Sequence, residues 1–344
     1  MKGVLVCPPV AAASLAVASL AVVSLAQAQF RSDVHLVNVG FSVRDTQGRL
    51  VRDLPRDELE VAEDGVPQKI AFFARSLDVP LNLGLVMDVS GSQGSFVKAH
   101  LKDLETFLDT VMGKDDRAFL VCFGNRIRLV RDFSSSPGDL LDGFRQFQRI
   151  GQHIVLNGFR DRKKRQQQAS EPGVALFPEL GPPQLRFGGT AFYDAIYHSI
   201  GEKLAGEEHG RRALIVFSDG EDNSSAHHML DAIEAAQSSD VLLFGIRYTD
   251  VRNGRLTARN QYGSSVMTRI ARETGGADYD AREKGLSENF RQIGEELRSS
   301  YELGYHSSNP VSDNSFHKIA IRIHRPGLTV RCKTGYYARP AAAP

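Results

Sequence analysis

Two apolar runs that each end in an aspartate constrain the fold of this chain more than any other feature. The runs Leu83-Gly-Leu-Val-Met-Asp88 and Ala213-Leu-Ile-Val-Phe-Ser-Asp219 are too continuous for strands with one wet face, and helical patterns follow each of them. Residues 241–248 form a third largely apolar run, which does not end in an aspartate. Strands that are buried on both faces and separated by helices indicate an α/β domain with a doubly wound, mostly parallel sheet. We predict this domain over residues 79–299.

The two ends of the chain have a different, β-type pattern. Residues 34–73 alternate polar and apolar positions between Gly-containing turns, and three strand-like segments follow residue 300. Each end alone is too short to bury a sandwich core comfortably. We therefore predict one β-sandwich with halves at residues 29–78 and 300–344, into which the α/β domain is inserted.

The first 28 residues are predicted to be a cleavable signal peptide. Lys2 provides the positive start, residues 10–25 carry no charge, and Ala26-Gln27-Ala28 is a small-x-small cleavage site. The apolar run is shorter than the roughly 20 residues that a spanning helix needs. We expect cleavage after Ala28, a secreted or periplasmic location, and no transmembrane segment in the mature chain.

Charge and composition argue against bulk electrostatic binding. Forty-two Lys and Arg residues against forty-one Asp and Glu give a net charge of +1, so nothing indicates capture of nucleic acid or of an anionic membrane. Residues 149–187 lose the regular pattern and are predicted to be a loop insertion. The basic cluster at 160–165 within it is typical of a solvated loop surface, and a contact with an acidic surface is the alternative.

Three short motifs form the candidate functional site. Asp88-Val-Ser-Gly-Ser92 and Ser218-Asp-Gly220 follow apolar strands, and Gly188-Gly-Thr190 enters a helix. Ligands of open α/β sheets bind beyond the carboxyl ends of the strands, so we expect these loops to converge. Their hydroxyl and carboxylate oxygens suit Mg²⁺, Mn²⁺ or Ca²⁺ and are poor ligands for Zn²⁺.

The order and placement of these motifs resemble the metal-ion-dependent adhesion site (MIDAS) of von Willebrand factor A (VWA) domains. The resemblance covers roughly residues 81–299, and the long insertion departs from it. It implies a divalent cation held by five residues, which are Asp88, Ser90, Ser92, Thr190 and Asp219. In that arrangement the two serine hydroxyls bind the ion directly, and Thr190 binds directly or through water. The two aspartates act largely through water, and an acidic group of the partner completes the octahedron.

The flanking segments resemble the exported bacterial group called VWFA-related proteins, through residues 58–70, 301–305 and 333–337. The wider VWA resemblance also implies that the helix at 286–298 moves with the state of the metal site. Because this helix runs almost directly into the strand starting at Tyr301, we expect force or binding at the sandwich to change the affinity of the site.

Neighbouring residues are candidates for supporting the five ligands, namely Gly91, Gly189, Glu221 and Asp222. Gly91 is expected to let the first loop fold closely. Glu221 and Asp222 either add negative potential or simply form a polar loop. His227 and His228 are interpreted as an exposed helix start, because adjacent histidines point apart and only Asp231 shares the face of His227.

These features predict a non-enzymatic, metal-dependent adhesion or binding protein that engages an acidic group of a protein or glycan. A metal-independent scaffold in an envelope assembly is the alternative. A hydrolase using Asp88 or Ser90 is less favoured, because the chain lacks a Gly-x-Ser-x-Gly elbow and a second Asp two residues after Asp88. The chain also has no Gly-x-x-x-x-Gly-Lys-Ser/Thr phosphate loop.

Overall fold

The computed structural model describes residues 36–77, 79–158, 177–182, 189–207, 209–249, 251–252, 255–283, 285–309 and 314–338. All of them fall in one unit, Val34–Pro344. The predicted signal peptide at 1–28, the basic cluster at 160–165 and Gly188 lie outside the described residues. None of the helices within these ranges has the length and apolarity needed to cross a membrane.

The described chain begins with four strands, which are β1 (Leu36–Arg44), β2 (Leu59–Glu63), β3 (Val66–Gln68) and β4 (Ile70–Leu77). Burial in β2 alternates residue by residue, as expected for a strand with one wet face. The turn between β2 and β3 consists of Asp64 and Gly65, and both have positive φ (51° and 85°). Such a pair is typical of a two-residue hairpin turn.

The central part alternates strands with helices. Its elements are β5 (Leu81–Asp88), α1 (Val97–Val111), β6 (Arg117–Phe123), β7 (Ile127–Ser134), α2 (Pro137–Gly158), α3 (Phe192–Ser199), β8 (Arg211–Ser218), α4 (Met229–Ser238), β9 (Leu242–Arg247), β10 (Val251–Arg252), β11 (Arg255–Leu256), α5 (Ala258–Glu273), β12 (Asp278–Asp280) and α6 (Leu286–Arg298). A 3₁₀ turn, Gly91–Phe96, precedes α1, and a π-helical turn, Ile200–Leu204, follows α3. The predicted insertion is partly helical, because α2 continues to Gly158.

Six of these strands form one sheet in the order β12-β9-β8-β5-β6-β7, in which only the β6–β7 pair is antiparallel. One buried apolar cluster joins the sheet to α1, α2 and α6, and a second joins its other face to α3, α4 and α5. Every residue of β5 is buried, which explains its uninterrupted apolar run. The predicted α/β class with a mostly parallel sheet is confirmed.

The direction of winding reverses between β5 and β8. These two strands are parallel neighbours, although β6 and β7 lie between them along the chain. In doubly wound sheets such a switch point opens a crevice at the carboxyl ends of the two strands. The fold therefore places the ends of β5 and β8 at the position where ligands of this architecture bind.

The chain ends in four more strands, which are β13 (Ser299–His306), β14 (Phe316–Ile323), β15 (Thr329–Cys332) and β16 (Gly335–Tyr337). They combine with the first four strands in two four-stranded sheets, of order β15-β1-β13-β4 and β16-β14-β2-β3. Val39, Val61, Leu303 and Ile319, two from each sheet, share a third buried apolar cluster. Strands from the two ends of the chain thus pair in both sheets.

Helix α6 is attached firmly to the first of these sheets. Arg298 ends the helix and the next residue, Ser299, begins β13. Two residues before Arg298, the Glu296 carboxylate is 2% exposed and accepts hydrogen bonds from Ser42 Oγ (2.6 Å), Arg44 Nη2 (2.7 Å) and Arg331 Nη1 (2.8 Å). A buried carboxylate held by two guanidinium groups leaves the end of α6 little freedom to move alone.

Candidate metal centre

The candidate centre begins with Asp88, the last residue of β5. Its side chain is fully buried, and Oδ1 accepts the Ser90 N–H at 2.9 Å. Oδ2 accepts the hydroxyl of Ser218, the last residue of β8, at 2.6 Å. Burial, together with the charge of Asp219, raises the pKa of Asp88 to about 7. The carboxylate is thus oriented by the two strands that flank the switch point.

Ser90 and Ser92 follow in the loop after β5. Their hydroxyl oxygens lie 3.1 Å apart, with Ser90 buried and Ser92 exposed. The intervening Gly91 is exposed, and a Cβ added there would meet no atom within 4 Å. Gly91 also lacks a positive φ. The expectation that close folding of the backbone requires this glycine is therefore wrong, because the 3₁₀ turn leaves the position open.

Thr190 lies just before α3 and is 6% exposed. Its N–H donates to Asn223 Oδ1 (2.7 Å), and its carbonyl oxygen accepts the N–H groups of Asn223 and Ser224. The neighbouring Ala191 N–H donates to the carbonyl oxygen of Gly124, the residue after β6, at 2.8 Å. Thr190 is thus held between the loop that follows β8 and the turn that follows β6.

Two glycines lie where these loops come close to one another. Gly124 packs against the backbone of Ser90, so the turn that holds Thr190 also contacts the first motif. Gly189 has φ +137°, and a Cβ there would lie 2.5 Å from Asn223 Oδ1. Gly189 is therefore required by both its backbone conformation and its surroundings, and it supports the position of Thr190.

Asp219 follows β8 and is 2% exposed. Its Oδ1 accepts the Glu221 N–H at 3.1 Å, and Oδ2 accepts Nε2 of Gln93 at 2.8 Å. Gln93 is 1% exposed, and its Oε1 has no hydrogen-bond partner among the described residues. Sequence reasoning did not single out Gln93 or assign a role to the Ser218 hydroxyl. Their positions beside two motif residues were the only signal.

Glu221 and Asp222 take different roles. The Glu221 carboxylate pairs with Arg259 of α5 at 3.0 Å, and its pKa is raised by burial and by the charge of Asp219. The Asp222 carboxylate instead accepts the N–H of Phe192 at 2.9 Å. Asp222 therefore stabilises the first turn of α3, directly after Thr190, by satisfying a backbone donor that the helix leaves unpaired.

His227 differs from expectation. It is partly buried, stacks on Tyr197 with ring centroids 3.8 Å apart, and lies with Nδ1 2.7 Å from Asp194 Oδ1. Asp231 does not accompany it but accepts the N–H of the exposed His228 at 2.7 Å. The ligand-type atoms of three residues lie within 4.8 Å of one another, those of Asp194, His198 and His227. The interpretation of His227 as an exposed helix start was wrong, because its neighbours lie on α3, far away in the chain.

The donor set of the motif loops fits a hard divalent cation. Asp88 and Asp219 are both buried, and none of the described Lys, Arg or His residues forms an ion pair with either. Two carboxylates placed in one crevice without a basic partner repel each other, and a cation offsets that repulsion. The unpartnered Gln93 Oε1 adds a buried oxygen at the same place. Hydroxyl and carboxylate oxygens are the ligands that Mg²⁺, Mn²⁺ and Ca²⁺ prefer.

Comparison with known proteins gives matches among solved structures. No protein-family model matches the chain, and no curated protein does. An aerotolerance-related membrane protein from Bacteroides fragilis is 16% identical over 63% of this chain and 98% of its own, with a TM-score of 0.41. A von Willebrand factor type A protein from Catenulispora acidiphila is 12% identical over 88% of this chain and 73% of its own, with a TM-score of 0.40.

A third solved structure is that of proximal thread matrix protein 1 from the mussel byssus, which has a zinc-occupied MIDAS motif. It is 13% identical, the match covers 69% of this chain and 50% of that protein, and the TM-score is 0.44. The site itself is defined by the strand order and the loop contacts of this chain.

Proposed function

We propose that this chain carries a VWA-type α/β domain, inserted into a β-sandwich built from both ends of the chain, that holds one divalent cation at a MIDAS. The ion would be held by Asp88, Ser90, Ser92, Thr190 and Asp219 and offered to an acidic group of a protein or glycan partner. The protein would act by binding and not by catalysis.

One observation carries the proposal. Asp88 and Asp219, from strands on either side of the switch point, are both buried in one crevice, and Ser218 and Gln93 orient them. Burying two carboxylates without a basic partner is costly unless one of them takes up a proton or a cation accompanies them. Neither packing nor helix capping accounts for this pair, and a cation site does.

An acidic partner follows from the proposed coordination. With hydroxyl oxygens as the direct ligands, the ion keeps most of its positive charge and holds waters on its open side. Of the five proposed ligands, Ser92 is the exposed one, so solvent reaches the centre from the loop that follows β5. A carboxylate that replaces one water would gain a strong charge-assisted contact. A glutamate or aspartate side chain and an acidic sugar both meet this requirement.

Binding is favoured over hydrolysis by the same contacts. Asp88 is 0% exposed, so its carboxylate is out of reach of a substrate that it would have to attack. The Ser90 hydroxyl is 3.1 Å from the Ser92 hydroxyl, and no described histidine is hydrogen-bonded to it as a base. An exported location remains part of the proposal, on the basis of the predicted signal peptide.

Titration calorimetry of the mature chain with Mg²⁺, Mn²⁺ and Ca²⁺ tests the metal site. We expect one bound Mg²⁺ in the wild-type protein and none in the Asp88→Ala variant. Asp115→Ala is the matched control, because Asp115 is an exposed aspartate in the turn before β6 and should leave the titration unchanged. Equal titrations of the wild-type protein and Asp88→Ala would refute the site.

Capture of a partner by the immobilised protein tests the binding role. Partner release by a chelator, together with loss of capture by Asp88→Ala but not by Asp115→Ala, is the expected result. If capture persists in both variants and in the chelator, the protein is a metal-independent scaffold and the proposed role is wrong.

A further inference from the structure

A second polar cluster lies between strands from opposite ends of the chain. Its four members are Glu63 at the end of β2, Asp64 in the β2–β3 turn, His317 at the start of β14, and Asn309 after β13. Glu63 is 0% exposed and His317 is 5% exposed, whereas Asp64 reaches solvent. No sequence motif linked these residues, because more than two hundred positions separate Asp64 from Asn309.

Three atoms of metal-ligand type converge in this cluster. Glu63 Oε1, Asp64 Oδ2 and His317 Nδ1 belong to a group whose ligand atoms all lie within 4.8 Å of one another. The amide nitrogen of Asn309 lies among them, 2.6 Å from the Glu63 oxygen, 3.0 Å from the Asp64 oxygen and 3.0 Å from the His317 nitrogen. A positively polarised group thus occupies the point at which the three atoms meet.

Hydrogen bonds account for most of this arrangement, but one contact is unfavourable. The two hydrogens of the Asn309 amide nitrogen serve the Glu63 and Asp64 oxygens, and His317 Nδ1 donates to Asp64 Oδ2. The Asn309 amide nitrogen and His317 Nδ1, 3.0 Å apart, are then two donors in contact. A cation bound to the deprotonated Nδ1 in place of the amide removes this contact.

We propose that this point is a binding site for a divalent transition-metal cation, for which Zn²⁺ is the best match, held by Glu63 Oε1, Asp64 Oδ2 and His317 Nδ1. Imidazole nitrogen and carboxylate oxygen both bind Zn²⁺, whereas Mg²⁺ and Ca²⁺ prefer oxygen alone. Two negative charges balance the ion. The Asn309 amide turns aside when the cation enters, and the ligand atoms close to the usual distance of about 2.0–2.2 Å.

Hydrogen-bond donors already contact the two carboxylate ligands. Tyr305 Oη and Ser307 Oγ each donate to the Glu63 carboxylate at 2.6 Å, and the Lys318 N–H donates to Asp64 Oδ1 at 2.8 Å. Such bonds fix the orientation of a ligating carboxylate and leave its other oxygen or lone pair for the ion. The exposed Asp64 carboxylate marks the side from which the cation enters.

The expected role of this ion is to join the two ends of the chain. Asp64 and His317 are 253 positions apart, and β2 pairs with β14 next to them. A cation bound only by the folded chain stabilises it by mass action. This site is independent of the MIDAS proposal, since it shares no residue with that centre.

Calorimetric titration with Zn²⁺ alone tests the site in a mature chain that carries Asp88→Ala and His227→Gln, so that neither the MIDAS nor the Asp194, His198 and His227 group contributes. We expect one zinc ion, and we expect Asp64→Asn or His317→Gln in that background to weaken binding at least about tenfold. His306→Gln is the matched control, because His306 is an exposed histidine at the end of β13, three residues before Asn309, and its replacement should change nothing. The melting temperature should rise with zinc in the background protein and in the control, but not in the two ligand variants.

Two results would overturn the proposal: no zinc binding by the background protein, or zinc binding of unchanged strength in both ligand variants. Far-UV circular dichroism checks that each variant is folded. If His317→Gln does not fold, Asp64→Asn decides the question alone, because the Asp64 side chain is 40% exposed and its replacement keeps the shape of the side chain.

Discussion

The hydroxyl of Ser218 donates a 2.6 Å hydrogen bond to Asp88 Oδ2, from the end of β8 to the end of β5. The same hydroxyl oxygen accepts the N–H of Gly220 at 3.0 Å, so it also fixes the turn that carries Asp219. One serine thus orients the Asp88 carboxylate and fixes the turn that carries Asp219. The positions of the two aspartates are therefore linked through this hydroxyl.

Replacing Ser218 by alanine should weaken binding of Mg²⁺ or Mn²⁺ about tenfold or more, the usual cost of losing a bond that orients a metal ligand. Calorimetric titration measures this change. Ser265→Ala is the control, because Ser265 is an exposed serine of α5 whose hydroxyl bonds only to the Tyr262 carbonyl oxygen. An unaltered dissociation constant in Ser218→Ala would show that this hydroxyl does not position Asp88.

The stability of the metal-free protein should depend on Asp88 and pH. The pKa of Asp88 is raised from 3.8 to about 7, first by burial and then by the charge of Asp219. The folded state therefore holds a proton that the unfolded state releases, and stability is lost as the pH rises from about 4 to about 7. This group accounts for a loss of up to about 4 kcal/mol in the free energy of unfolding.

Urea unfolding in the presence of a chelator measures that loss. Asp88→Asn should be less sensitive to pH over the same window, because the amide does not titrate. Added Mg²⁺ should restore the stability of the wild-type protein at the higher pH. Identical pH profiles of the wild-type protein and Asp88→Asn would contradict the prediction.

Helix α5 packs unusually close to the Asp219 loop. A Cβ on Gly263 would lie 2.2 Å from the Asp219 carbonyl oxygen, so Gly263→Ala must displace the loop. We expect a loss of about 1–3 kcal/mol in the free energy of unfolding, together with weaker cation binding. Gly201→Ala is the control, because its added methyl group meets no atom within 4 Å. Unfolding and calorimetry in parallel measure both effects, and full cation affinity in Gly263→Ala would contradict the expectation.

Glu296→Gln tests whether α6 couples the sheets to the metal centre. The change removes a buried charge that pairs with Arg44 and Arg331, and it should lower the free energy of unfolding by about 1.5–3 kcal/mol. If α6 responds to the state of the centre, the cation affinity should also change at least about fivefold. Glu295→Gln is the control on the same helix, at a side chain that is 40% exposed. Lower stability with an unchanged affinity would rule out coupling through this contact.

The α/β class and the meeting of the motif loops could be predicted because both depend on local patterns and strand direction. The run from Leu83 to Met87 is apolar because each of its residues is buried, and parallel strands must present their carboxyl ends at one edge. That edge brings Asp88 and Asp219 together. Their assignment as metal ligands remains a prediction.

Contacts between distant segments could not be predicted in the same way. Gln93 contacts Asp219 through a fold that no pattern around residue 93 encodes. His227 was misinterpreted because Asp194 and Tyr197 are supplied by another helix. Helix α5 begins at Ala258, although its apolar pattern is clear only from Val266, because its first turns are polar. The local sign that the helix starts there is Thr257, whose side-chain oxygen accepts the Asn260 N–H and caps the helix.

Pairing of β1 with β13 has a consequence for the order in which the chain can fold. Leu36 lies opposite His306, and Phe41 lies opposite Tyr301, so the earliest strands find their partners only after about 260 further residues have been made. The central domain has all its own strands before then and can close first. Until the last strands emerge, the leading strands expose unpaired edges, and a chaperone that shields them during synthesis or export would raise the yield of correctly folded protein.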